Sequence, residues 1–120
     1  MCLMYPKPQK KKKRKKHGKS ILQDKDDKTC YLCALLYGDY RTKTVEEHHI
    51  IHGTAGRQKS EELGLKVNLC IPHHRTGKDA VHNGGETDLL LKQEAQRAYE
   101  RIHTREDWMR EVGKNFLASP

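Results

Sequence analysis

Apolar residues are sparse along this chain, and their spacing changes along it. From Glu86 to Pro120 the pattern reads as helical: Leu91, Ala95, Ala98 and Ile102 recur three or four positions apart and form one narrow stripe. Thr104 followed by Asp107 has the spacing of a capping box in its acidic form, so a second short helix is expected to start there and stop at Gly113. Upstream, Thr44-Val45-Glu46-Glu47-His48-His49-Ile50-Ile51 is β-branched at both ends and reads as a strand able to pair with Val67-Asn68-Leu69. The stretch between them, Gly53 to Gly64, is too long for a tight hairpin. It is expected to hold one helical turn over Gln58–Leu63, ended by Gly64. Pro72 suits the first position of a helix that carries His73, His74 and Arg75. No internal repeat is present, and the order of strand, long loop, strand and helices predicts an α+β fold.

The first 24 residues show neither period. Their charge sets them apart. Residues 1–28 carry 11 Lys/Arg and 3 Asp, a balance of +8, which is the net charge of the whole chain. The remaining 13 basic and 13 acidic residues cancel. The excess is centred on Lys10-Lys11-Lys12-Lys13-Arg14-Lys15-Lys16, a block that repels itself and cannot bury its charges. A disordered basic tail over residues 1–24 and one folded domain over 25–120 are therefore expected. A solubility or localisation tail would have the same composition. An acidic membrane surface fits poorly, because no apolar anchor is interleaved with the lysines.

Composition limits the core. Hydrophobic residues make up 34% of the chain and charged residues 33%, with one Trp and one Phe. So small an apolar mass offsets chain entropy with difficulty, and a staple is expected. No apolar run is long enough to span a bilayer, and the N-terminus has a lysine run where a secretory signal would be apolar. A reducing cytoplasm follows as the expected compartment, which favours metal-bound thiolates over disulfides.

Cys30-Tyr31-Leu32-Cys33 is a C-x2-C knuckle, and Cys70-Ile71-Pro72-His73 repeats the spacing with a histidine in last place. Side chains three apart on a turn can face one ion, and two such pairs complete a tetrahedron suited to zinc. Four protein ligands would close the site and make it structural. His74 adjoins His73 and could take its place; the matching register favours His73. Cys2 lies outside the pattern. Five further histidines (His48, His49, His52, His74 and His82) remain within the same segment, more than a zinc staple requires. Neighbours on a strand point to opposite faces, so His48 and His49 can serve different purposes.

These residues together resemble the HNH (His-Asn-His), or ββα-metal, endonucleases. The likeness covers Cys30 to His74, with elements in the family's order: Cys30-x2-Cys33, then His48-His49-Ile50, then Asn68-Leu69-Cys70-x2-His73-His74. The commoner second knuckle is C-x2-C, whereas His73 stands in its last place here. The basic start and Ala80-Val81-His82-Asn83 are similar to small HNH proteins of phages and prophages, which places the expected cytoplasm in a bacterial or phage-infected cell. The resemblance implies a zinc-stapled ββα-metal core with C-terminal helices. It implies His49 as general base, Asn68 as the residue orienting it, and His48 and His74 as ligands of a catalytic divalent ion. An imidazole exchanges protons near neutral pH, which suits the first of these roles. His82 is a weaker candidate, as a third ligand, a phosphate contact or a plain loop histidine. The ion would be Mg²⁺, or Mn²⁺, Ni²⁺ or Zn²⁺, the softer ions gaining from two imidazoles. The implied partner is DNA, cut to 5′-phosphate and 3′-hydroxyl ends. Beside such a site, phosphate binding by Lys11, Lys12, Lys13, Arg14, Lys15 and Lys16 becomes the preferred role for the tail. Arg57, Lys59, Arg75 and Lys78 flank the site and could hold phosphates, although for each alone a solvated surface charge is the favoured reading. A zinc-stapled module that binds nucleic acid without cutting it would share every feature except the pairing of His49 with Asn68. Whether the protein acts as a monomer or a homodimer stays open, as does its cleavage specificity.

Overall fold

A computed structural model describes residues 18–24 and 26–117. The expected tail residues Lys11, Lys12, Lys13, Arg14, Lys15 and Lys16 lie outside the described residues. The architecture is an α+β domain built on a two-stranded antiparallel sheet. Helix α1 (Tyr31–Tyr37) precedes β1 (Val45–His49), α2 (Gly53–Leu63) and β2 (Lys66–Cys70); helices α3 (Glu86–Glu100) and α4 (Arg105–Glu111) close the chain. Between β2 and α3 stand a five-residue π-helical turn, Pro72–Thr76, and a 3₁₀ turn, Val81–Asn83. Among the described residues no helix is long and apolar enough to cross a membrane.

The strands pair in the expected region, with Val45 opposite Cys70, Glu47 opposite Asn68 and His48 opposite Val67. Directly opposed residues share a face. One face therefore carries Glu46, His48, Val67 and Leu69, and turns His48, Val67 and Leu69 into the core. The other carries Glu47, His49, Lys66 and Asn68.

The helix between the strands is longer than the sequence suggested. It occupies all of Gly53–Leu63, where one turn over Gln58–Leu63 was expected. Two tertiary bonds hold it: the buried Ser60 hydroxyl accepts from Ile51 N at 3.0 Å and donates to Ile51 O at 3.2 Å. Gly64 ends it as expected, at φ 74°, where a Cβ would also collide with the carbonyl oxygen of Lys19.

That contact shows that residues 18–24, assigned to the tail on charge, run along the domain. Gly18 N donates to Glu61 O at 2.6 Å, Ile21 N to Gly64 O at 3.0 Å, and Ser20 Oγ to Lys66 O at 2.5 Å. Ile21 and Leu22 pack on the core.

In α3 the buried stripe is Leu91, Ala95, Ala98 and Tyr99; Ile102 falls beyond the helix and is 67% exposed, so the expected stripe ends one turn early. The capping box at Thr104 is present, and α4 stops at Glu111, two residues before Gly113. Trp108 on α4 is fully buried against Tyr99 and Phe116. The buried amide of Gln96 is satisfied by Glu100, Asn115 and the backbone of Phe116, which ties the C-terminal segment to α3.

Candidate functional site

The two knuckles converge. Cys30 caps the N-terminus of α1, its sulfur accepting from Cys33 N at 3.4 Å, and Cys70 closes β2. The π-helical turn then swings His73 towards the cysteines, with Nδ1 3.4 Å from each of the three sulfurs. Cys33 and Cys70 sulfurs stand 3.8 Å apart. Ligands on one tetrahedral zinc would be spaced about 3.8 Å between sulfurs and about 3.6 Å between sulfur and nitrogen. Cys30, Cys33, Cys70 and His73 can therefore hold a metal ion such as zinc. Burial pushes the Cys30 thiol up to about 12. Burial opposes ionisation of Cys33 as well, but hydrogen bonds from Lys43, Cys30 and Cys70 outweigh it and hold its pKa below the usual thiol range. Lys43 Nζ lies 3.0 Å from the Cys33 sulfur, a favourable cation for a thiolate-rich centre. A backbone bond from Lys43 N to Lys28 O and the Thr29–Thr42 bridge bring it there.

His74, one residue on, points elsewhere. Successive residues of such a turn diverge by roughly 80–100°. Its ring stands 5.2 Å from that of His48 and 4.5 Å from that of His82. His48 is only 2% exposed, and its Nε2 is buried with no hydrogen-bond partner among the described residues. Such an atom normally costs about 1–3 kcal/mol unless a partner is supplied. Burial, together with the charges of His52, His74 and His82, pushes the His48 pKa down to about 3, so the ring is neutral. His74 Nδ1 donates to Glu46 Oε1 at 2.8 Å, and its Nε2 faces His82 Nε2 at 2.9 Å. A carboxylate behind one ring nitrogen fixes the other as a ligand, the usual arrangement around metal-bound histidines. His82 is brought in by the 3₁₀ turn, in which Val81 is buried as a plug. His48, His74 and His82 can hold an ion together.

On the opposite face of β1, His49 Nε2 lies 2.5 Å from Glu61 Oε1 on α2, and Lys66 Nζ holds the second Glu61 oxygen at 3.2 Å. The bond expected from Asn68 to His49 is thus supplied by Glu61. Asn68 shares that face, but its amide donates to Asp27 O at 2.6 Å and its backbone N–H to Gln23 Oε1 at 2.7 Å. All five histidines, His48, His49, His52, His74 and His82, line one open cleft of about 470 Å³, with Arg57 of α2 beside them. A cavity of about 530 Å³, lined in part by Glu61, Lys66 and Asn68, shares Glu47 with that cleft.

The candidate phosphate contacts divide. Arg57 is exposed on the cleft. Lys59 is ion-paired with Glu111 of α4 at 3.1 Å, and Arg75 with Glu46 at 3.0 Å. Glu46, Glu61 and Lys43 were not singled out from the sequence. Glu46 could have been, since it shares a strand face with His48 two residues on. His52 donates from Nε2 to Asp88 Oδ1 at 2.6 Å. No family model matches the chain, and no match was found among the curated proteins or the solved structures.

Proposed function

We propose that this protein is a metal-dependent endonuclease of the HNH type that hydrolyses phosphodiester bonds in DNA. The observation that carries the reading is the back-to-back placement on β1. His48 offers an unpartnered, buried nitrogen to His74 and His82, while the next residue, His49, lines the same cleft and is held from the other face by Glu61. A zinc staple needs neither arrangement. In this reading β1, β2 and the π-helical turn form the ββα-metal unit, and Cys30, Cys33, Cys70 and His73 hold a structural zinc beside it.

His48, His74 and His82 would hold the divalent ion, whose bound form supplies Lewis-acid stabilisation of charge on the scissile phosphate and the leaving 3′-oxygen. Glu61 fixes Nε2 of His49, which leaves Nδ1 to take the proton from the attacking water. The same carboxylate, anchored by Lys66, stabilises the imidazolium that results. Glu61 thus performs the orienting task that the resemblance assigned to Asn68. Arg57 is placed to hold a backbone phosphate on the cleft. Mg²⁺, Mn²⁺, Ni²⁺ and Zn²⁺ are all compatible with the donor set, the imidazoles favouring the softer ions.

Supercoiled plasmid incubated with the zinc-loaded protein is expected to be nicked or linearised when Mg²⁺ or Mn²⁺ is added and to stay intact when EDTA is added first. Binding without cutting under every divalent ion would replace the enzyme with a nucleic-acid-binding module.

The tail adds a second measurement. Gly18, two residues after the basic run in sequence, bonds through its N–H to Glu61 O, beside the proposed catalytic pair. Removing residues 1–16 deletes the basic block but spares the contacts of Gly18–Asp24. Each phosphate that then goes unneutralised should reduce the slope of log K against log salt by about 0.9. Seven basic residues at positions 10–16 allow a large change. Turnover at saturating DNA should hold steady. An unchanged salt slope would assign the tail to another task.

A further inference from the structure

The cleft contains more ligand groups than one three-histidine position uses. We propose that His48, His52 and Asp88 form a second cation position beside the one at His48, His74 and His82, and that its carboxylate suits oxygen-preferring ions such as Mn²⁺. The proposal rests on the reading of the histidine cluster as a cation site.

His48 stands at the centre of the cluster. Its ring lies 5.3 Å from His52, 5.2 Å from His74 and 5.4 Å from His82. Imidazoles on one ion at a metal–nitrogen distance of about 2.1 Å have ring centres about 4.5–5.2 Å apart for angles between 90° and 109°. His48 comes close to that condition with all three neighbours. His52 and His82 do not meet it with each other, at 6.3 Å. The two flanks of His48 are therefore separate. On one, single ligand atoms of His48, His74 and His82 all lie within 4.8 Å of one another; on the other, the same holds for His48, His52 and Asp88.

The second trio comes from three different elements. His48 is on β1, His52 is the N-cap residue just before α2, and Asp88 is in the first turn of α3. Asp88 is fixed at both oxygens, Oδ1 by His52 at 2.6 Å and Oδ2 by Lys92 at 2.8 Å. An unliganded pair of this kind shares a proton on His52 Nε2. An ion would take its place, with that proton moving to Nδ1 of the same ring, so no proton need be lost. The unpartnered Nε2 of His48, buried at the junction, is the independent sign that the pocket is built for an occupant. An imidazole nitrogen offers one lone pair, so the two positions sharing His48 are alternatives and hold one ion in total. Three neutral imidazoles suit softer ions, whereas two imidazoles with a carboxylate place a negative oxygen on a harder one.

The test is calorimetric titration of the full-length, zinc-loaded protein with Mn²⁺ and with Co²⁺. Wild type should take up one ion beyond the zinc. Asp88→Asn should weaken Mn²⁺ binding by at least about tenfold, since loss of a charged ligand exceeds the loss of a residue that merely orients one, while Co²⁺ binding changes little. His74→Ala/His82→Ala should keep one weakened Mn²⁺ site, which addition of Asp88→Asn or His52→Ala removes. Unchanged Mn²⁺ affinity in Asp88→Asn would overturn the second position alone and leave the three-histidine site standing. The second position also falls if the double variant, still folded and zinc-loaded, takes up no Mn²⁺. Failure of the wild type to bind any ion beyond the zinc would overturn both.

Discussion

Cys70→Ala is expected to release the metal and unfold the domain. Cys70 ends β2, Cys30 starts α1 and His73 lies on the π-helical turn, so one ion would join three elements that otherwise meet through few apolar residues. The buried cluster contains thirteen residues, and three of those are the cysteines themselves. Structural zinc contributes an apparent ~10–16 kcal/mol in small zinc modules, against a total stability of about 5–15 kcal/mol for a typical domain. Loss of one ligand should therefore exceed the margin. Circular dichroism and zinc content of Cys70→Ala, compared with the wild type under a chelator, should give the same unfolded, metal-free species. A cooperative melt in a metal-free variant would refute the staple. The adjacent histidines provide a control that separates the sites. His73→Ala should lose zinc, and His74→Ala should keep it, because His74 is turned to Glu46 and His82.

The second large effect is confined to chemistry. His49→Ala should lower cleavage by about 10²–10⁴-fold, the range over which a positioned general base acts. Zinc content should stay at the wild-type level, since His49 is not among Cys30, Cys33, Cys70 and His73, and the domain should stay folded, because Glu61 keeps its Lys66 partner when the ring is removed. Global unfolding of His49→Ala would make the residue structural. Glu61→Gln sharpens the assignment: the amide can still accept a hydrogen bond and keep the ring in place, but it cannot balance an imidazolium. A fall in kcat with KM nearly unchanged is expected. A rise in KM alone would mean that Glu61 shapes the DNA surface instead of positioning the base.

Spacing made much of this molecule legible. The C-x2-C and C-x2-H pairs set ligands three apart on local turns, and such turns keep their geometry wherever they are placed. Pro72, Gly64 and the Thr104 capping box mark element ends for equally local reasons, and all three stand where the sequence put them. Alternation along β1 separated His48 from His49. Local pattern failed where a distant contact decided the outcome. Helix α2 reaches back to Gly53 because Ser60 binds both backbone groups of Ile51, and residues 18–24 leave the tail because Lys19 and Ile21 lie against Gly64.

The sequence by itself determined that Cys30, Cys33, Cys70 and His73 share one spacing and that His48 and His49 must diverge, because both follow from the backbone's own periods. Only the tertiary structure decided what stands behind each histidine. Glu61 meets His49 across 12 residues, Glu46 meets His74 across 28 and Asp88 meets His52 across 36. No period links positions so far apart. They are joined by how α2, the π-helical turn and α3 pack around one two-stranded sheet, and that packing gives each imidazole its partner.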